Sequence, residues 1–139
     1  MSDNFRFRLI TPVAELLSSE VTEVVLPAFD GECGIRSNHE NFLGALGTGA
    51  LKLVSEGNDY WYMVSQGLFQ VEDGQLSVLA ELGEEVKNID TDSANKEIKE
   101  LEAALAKEAV GSSKEKEIRL KRDRILARLD VCRRTSAVH

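Results

Sequence analysis

From Phe5 to about Val86 the apolar residues come in short runs separated by polar or glycine-bearing spacers. Phe5-Arg6-Phe7-Arg8-Leu9 alternates strictly, which is the period of a strand with one buried face. Val21-Thr22-Glu23-Val24-Val25-Leu26 is rich in β-branched residues, and Leu51-Lys52-Leu53-Val54, Tyr60 to Val64, Leu68 to Val71 and Leu76 to Leu79 continue the series. Between them lie Gly57-Asn58-Asp59, Ser65-Gln66-Gly67 and Asp73-Gly74, read as turns because glycine accepts positive φ without cost. Many short strands at this spacing predict a small antiparallel β-sandwich or barrel.

After Val86 the pattern changes period. From Asp92 onward there is no proline and one glycine, and Ala, Glu, Lys, Leu and Arg dominate. Ser93 is placed to cap a helix on which Ile98, Leu101, Leu105 and Ala109 share one face. Gly111-Ser112-Ser113 interrupts, and a second helix is expected from about Lys114, with Ile118, Ile125, Leu129 and Cys132 on its stripe and Leu126 widening it. Two helices of about equal length joined by a short turn make an αα-hairpin. The expected architecture is therefore α+β in two parts, a sandwich over residues 1–87 and a helical hairpin over 88–139. Both stripes are narrow and alanine-rich, so the hairpin buries little apolar area by itself.

Charge follows the same division. Residues 1–87 hold 5 Lys/Arg against 14 Asp/Glu, a net of −9, and residues 88–139 hold 12 against 10, a net of +2. Within 114–134 the count is 9 against 4, a net of +5, the one locally basic stretch of a chain whose formal net charge is −7. This balance gives no reason to expect nucleic acid or an anionic membrane as the main partner. Cys33 and Cys132 show no metal-ligand spacing, so neither a zinc site nor a disulfide framework is expected, and a reducing compartment is the simpler reading. The N-terminus lacks a basic start followed by an apolar run, and no run of about eighteen apolar residues occurs.

Candidates for chemistry are few. His39, in Ser37-Asn38-His39-Glu40-Asn41, is a lone histidine in a polar loop, a setting more often structural or interfacial than catalytic. The glycines of Gly44-Ala45-Leu46-Gly47-Thr48-Gly49 lack the following Lys-Ser/Thr of a phosphate loop, and turn glycines explain them better. Glu84-Glu85 reads as a solvated charge pair in a linker. The basic face of the second helix is either solvated surface or a docking face for an acidic partner.

The run from Leu26 to Leu43 contains Gly31-Glu32, Gly34-Ile35 and His39, and resembles the signature of the epsilon subunit of rotary F-type ATP synthases. Thr11-Pro12 and Ser65-Gln66-Gly67-Leu68-Phe69-Gln70-Val71 also resemble that family, as does the order of sandwich and hairpin. The chain departs at Ser37-Asn38, where the family usually has Pro-Gly, and at Cys33; Asn38 tolerates positive φ better than most residues. The resemblance implies a non-catalytic subunit of the central rotor stalk, without cofactor or metal, coupling proton-driven rotation of the c-ring to the gamma subunit. It implies contacts of Glu32, Gly34, Ile35 and His39 with the c-ring loops and gamma. It also implies that Arg122, Arg124 and Arg128 meet an acidic segment of the beta subunit when the hairpin extends and restrains ATP hydrolysis. The implied location is the cytoplasmic face of a bacterial inner membrane, or else the stromal face of a plastid thylakoid, with the membrane reached only through the complex.

Some members of that family bind ATP on the folded hairpin through an Ile/Leu-Asp-x-x-Arg-Ala motif. Here Ile89-Asp90-Thr91-Asp92-Ser93-Ala94 stands in its place, with Ser93 where the motif has arginine. A residual nucleotide site would be drawn from Asp90, Arg124 and Arg128, and Asp92 beside it disfavours phosphate, so ATP binding is expected to be absent or weak. The alternative reading is a free-standing β-sandwich protein-binding module with a coiled-coil tail. Ala109, Cys132 and Lys121-Arg122 interrupt the seam such a tail needs, so the isolated chain is expected to be monomeric.

Overall fold

The alternation of Phe5-Arg6-Phe7-Arg8-Leu9 is realised as strand β1 (Phe5–Ile10), with all three apolar side chains buried. Arg8 faces outward and donates to Glu15 of β2 (Glu15–Val21) at 2.8 Å. The computed structural model describes residues 3–138, and the side chains of those up to Thr135. Six more strands follow: β3 (Glu23–Ala28), β4 (Gly31–Arg36), β5 (Phe42–Leu46), β6 (Gly49–Ser55), β7 (Asn58–Glu72) and β8 (Gln75–Glu85). A 3₁₀ turn at Val86–Asn88 leads to helices α1 (Thr91–Leu105) and α2 (Ser113–Val138).

The strands pair in the order β2-β1-β8-β7-β5-β3-β4, with β6 bridging β3 and β7. All ladders are antiparallel except β1 with β8, which is parallel. The two layers enclose one core, in which Phe7, Leu9, Leu26, Ile35, Leu51, Phe69 and Leu76 are almost wholly buried. At about 1.5–3 kcal/mol for each fully buried side chain of this size, the core is the main source of the sandwich's cohesion.

Ser65-Gln66-Gly67 is not a loop. β7 runs through it as one 15-residue strand, its first part paired with β6 and its last part with β5. Gln66 at φ 49° and Gly67 at φ 143° kink the strand, and the inward set changes there from Tyr62 and Val64 to Phe69 and Val71. The positive-φ residues that signal a turn are present, but β8 pairs across the kink on both sides and keeps the chain extended. The tight turns lie at Glu56-Gly57 and Asp73-Gly74, where both central residues have positive φ, as two-residue hairpin loops require.

The helices differ from expectation in two respects. α1 is capped by Asp90 rather than Ser93: its carboxylate accepts from the backbone N–H groups of Asp92 and Ser93, and the Ser93 hydroxyl donates to it at 2.9 Å. The helices are also unequal, 15 residues against 26. Between them Gly111 at φ 85° makes the turn, and Ser112 accepts from the Glu115 N–H at 3.1 Å, which starts α2.

A methyl group on Gly67 would overlap the carbonyl oxygen of Leu79, and the residue's φ is itself unfavourable for an L side chain. Gly67→Ala is expected to destabilise the fold by about 2 kcal/mol or more. Gly57→Ala, at φ 79° with open space around it, should cost only about 1 kcal/mol. Urea denaturation of the two variants beside the parent measures the difference, and equal midpoints for both variants would contradict the pinch at Gly67.

Candidate functional site

Two surfaces stand out from the packing, the seam under α2 and a bare apolar face of the sheet. α2 lies along the outside of β6 and β7, where Ala50, Met63, Ile89 and Val131 form a buried cluster completed by Trp61, Ala127 and Cys132. A separate cluster of Ala94, Ile98 and Ile125, flanked by Leu101 and Leu129, holds α1 to α2. The second helix thus carries two stripes, and Cys132 serves the sandwich rather than α1. Burial raises the Cys132 thiol pKa, as it does that of Cys33, so neither is tuned as a nucleophile.

The arginines of α2 are engaged along the edge of this seam. Arg128 grips Glu84 with both limbs of its guanidinium, Nε donating to Oε2 at 2.9 Å and Nη2 to Oε1 at 3.1 Å, with both side chains about two-thirds or more buried. Arg124 Nη2 lies 3.7 Å from Glu81, and Arg134 lies 3.9 Å from Glu32. Arg122 pairs, among the described residues, with its neighbour Asp123 alone, at 3.4 Å. Among the described residues the Nε atoms of Arg122 and Arg124 find no acceptor. The carboxylate of Glu84, read from sequence as solvated linker charge, is instead the strongest tie between sandwich and hairpin. The pair joins residues 44 apart, which local charge patterning does not reveal.

Beside these arginines is a cleft of about 590 Å³, open to solvent and lined by Leu82, Glu84, Glu97, Lys121, Arg124 and Arg128 among others. Asp90 does not line it, being fixed at the start of α1 as the cap. The structure therefore brings Arg124 and Arg128 together but leaves Asp90 out. Two carboxylates, Glu84 and Glu97, line the same cleft as the arginines. No group of three or more His, Cys, Asp or Glu side chains among the described residues is arranged to hold a metal ion.

The signature residues divide. Glu32 and Gly34 project from the outer face of β4, and nothing approaches within 4 Å of a Cβ built on Gly34. His39 is half-buried after Asn38, which adopts φ 66°; its Nδ1–H donates to the Glu40 carbonyl at 2.8 Å and its ring meets Phe42 edge-on. Ile35 requires a correction. It is 1% exposed and packed in the core, so its side chain has no surface to offer a partner.

Sequence reading missed the bare face. Ile10, Leu79, Leu68 and Ala45 lie side by side in register across β1, β8, β7 and β5, facing outward beyond the kink in β7. Leu43, 64% exposed, extends the row along β5. The signal was available in Leu68-Phe69-Gln70-Val71, where three of four residues are apolar, so that both faces of the strand carry apolar side chains.

Residues 4–86 match the model of the β-sandwich domain of the ATP synthase delta/epsilon chain. The ATP synthase epsilon chain of Nitratidesulfovibrio vulgaris is 38% identical over 96 residues, covering 69% of this chain and 72% of that one. The epsilon chain of a Synechococcus strain is 34% identical, covering 80% of each. Among solved structures, a chain of the Euglena gracilis mitochondrial ATP synthase superposes with a TM-score of 0.73 at 20% identity, covering 100% of this chain and 84% of that one. A chain from the central stalk and c-ring of the Tetrahymena thermophila mitochondrial enzyme gives 0.65 at 13% identity, covering 91% and 95%. At these identities the two structural matches establish the fold alone.

The hairpin's two capping carboxylates make it acid-sensitive. The Ser93 N–H and hydroxyl hold the Asp90 carboxyl below its ordinary range, and the Arg119 guanidinium, with the Gly111 N–H, does the same for Glu115. A carboxylate with a depressed folded pKa adds stability above its unfolded pKa and loses it as pH falls toward the folded one. Helical circular dichroism should therefore decline on acidification through the carboxylate range. In Asp90→Asn with Glu115→Gln, which keep polar acceptors but do not titrate, the decline should be shallower. Superimposable pH curves for variant and parent would refute the assignment.

Proposed function

Because the chain belongs to the ATP synthase delta/epsilon chain family, as an epsilon subunit, we propose that it is a rotor component that couples c-ring rotation to the gamma subunit. In this role it performs no chemistry of its own. The observation that carries this reading is the apolar row Ile10, Leu79, Leu68 and Ala45, which lies across four adjacent strands and is left bare in the isolated chain. Contiguous exposed apolar residues on a sheet of this size mark a protein interface, and gamma is the partner assigned to this one. Glu32, exposed on β4, and His39, half-buried after it, are assigned to the polar loops of the c-ring, with Gly34 leaving room for close approach.

No helix among the described residues is long and apolar enough to cross a membrane. In the proposed role the chain reaches the membrane complex through protein contacts. The location that goes with this reading is the cytoplasmic face of a bacterial inner membrane. α2 is the regulatory arm: once released, its basic residues Arg122, Arg124 and Arg128 meet an acidic segment of the beta subunit and restrain ATP hydrolysis. Support for release comes from the narrow seams, which bury few large side chains.

Leu68→Asp should abolish capture of gamma by the tagged chain while leaving it folded, since Leu68 is outside the core; undiminished capture would exclude the row as the gamma site. In assembled complexes, deletion of residues 88–139 should raise ATP hydrolysis severalfold with assembly retained. An unchanged rate would leave the hairpin without its regulatory role.

A further inference from the structure

In the docked state the arginines of α2 are already bound to carboxylates, and every one of those carboxylates that lies on another element belongs to the sandwich. Arg124 meets Glu81, Arg128 meets Glu84 and Arg134 meets Glu32, so the basic helix lies along a series of acidic side chains. Resting on the reading of α2 as an arm for an acidic partner, we infer that Glu84, aided by Glu81, is an internal stand-in for that partner. An acidic polypeptide segment gains Arg128 and Arg124 only by displacing these two residues.

The two contacts are unequal, and the inequality gives an order. Arg128 is held by a bidentate, partly buried fork, whereas Arg124 has a single long ion pair and an Nε with no acceptor among the described residues. Arg124 also faces the solvent-open cleft, with Lys121 on its rim. An incoming carboxylate therefore engages Arg124 first, where the existing ion pair is long and the guanidinium lines the open cleft, and then competes with Glu84 for Arg128. Exchanging one carboxylate for another conserves the charge pairing of each arginine, so release does not strand a buried cation. Docked and released states then differ by less than the energy of the salt bridges themselves, which allows a modest partner affinity to shift the balance.

The experiment uses the full chain, with a synthetic peptide rich in Asp and Glu as the partner probe and a Lys-rich peptide as control. Trp61, the single tryptophan, lies in the cluster beneath α2, so its emission reports docking. Glu84→Gln is expected to shift Trp61 emission to the red and to tighten acidic-peptide binding about tenfold. Glu81→Gln should act in the same direction but less. The exchange Glu84→Arg with Arg128→Glu should return Trp61 emission to that of the parent and leave acidic-peptide binding weaker than the parent's, because the cation the peptide needs has moved from α2 to the sandwich. Equal, measurable affinity of parent and both glutamine variants for the peptide would overturn the stand-in while leaving the arm intact. No acidic-peptide binding by any of them at low ionic strength would overturn the arm and the stand-in together.

Discussion

The kink of β7 at Gln66 and Gly67 is the constraint on which the rest of the molecule depends. A single strand serves both layers because Gly67 lets the backbone close on the Leu79 carbonyl, a position no Cβ can share. Before the kink the outward residues are Trp61 and Met63, and they receive α2; beyond it the outward residue is Leu68, and nothing covers it. One local backbone conformation thus separates the face that binds the protein's own helix from an apolar face that stays exposed.

Electrostatics then decides how firmly the helix is held. The sandwich is strongly acidic and α2 is basic, so attraction between them is general as well as specific. Beneath the ion pairs the apolar contact is small: Ala50, Met63, Ile89 and Val131 are the buried members of the seam, and one of them is alanine. A helix held by ion pairs that all keep some contact with solvent, over a thin apolar seam, is sensitive to ionic strength in a way the sandwich core is not. The sandwich and its hairpin therefore differ in robustness although they are parts of one chain.

What the sequence disclosed was whatever is encoded locally. Strict alternation located β1, Asp73-Gly74 located a hairpin, and the change of composition after Val86 located the helices. β2 went unseen because it is an edge strand with mostly exposed residues, and Glu-Leu-Leu-Ser-Ser-Glu-Val has no alternation to read. β4 and β5 were hidden by their glycines, and Gly44 sits in β5 beneath the rings of Phe42 and Phe69 rather than in a turn. The cap was misplaced by three residues because Asp90 and Ser93 are both good capping types and both take part, Ser93 as donor to Asp90. Of the candidate contact residues, the arginines and Glu32 were legible by type. Their partners were not, since Glu84 and Arg128 lie 44 residues apart and only the tertiary fold brings them together.

The inequality of the two helices has a mechanical consequence. At about 1.5 Å per residue, α1 is roughly 22 Å long and α2 roughly 39 Å. α1 therefore spans little more than half of its companion, and Val131 and Cys132 in the later turns of α2 pack on the sheet and on Val86 and Ile89 of the connecting segment. Parting α2 from the sheet and parting it from α1 are separable events. The longer helix can swing with α1 still attached, or straighten away from it at Gly111, and only the second motion carries its tip through the full length of the rod.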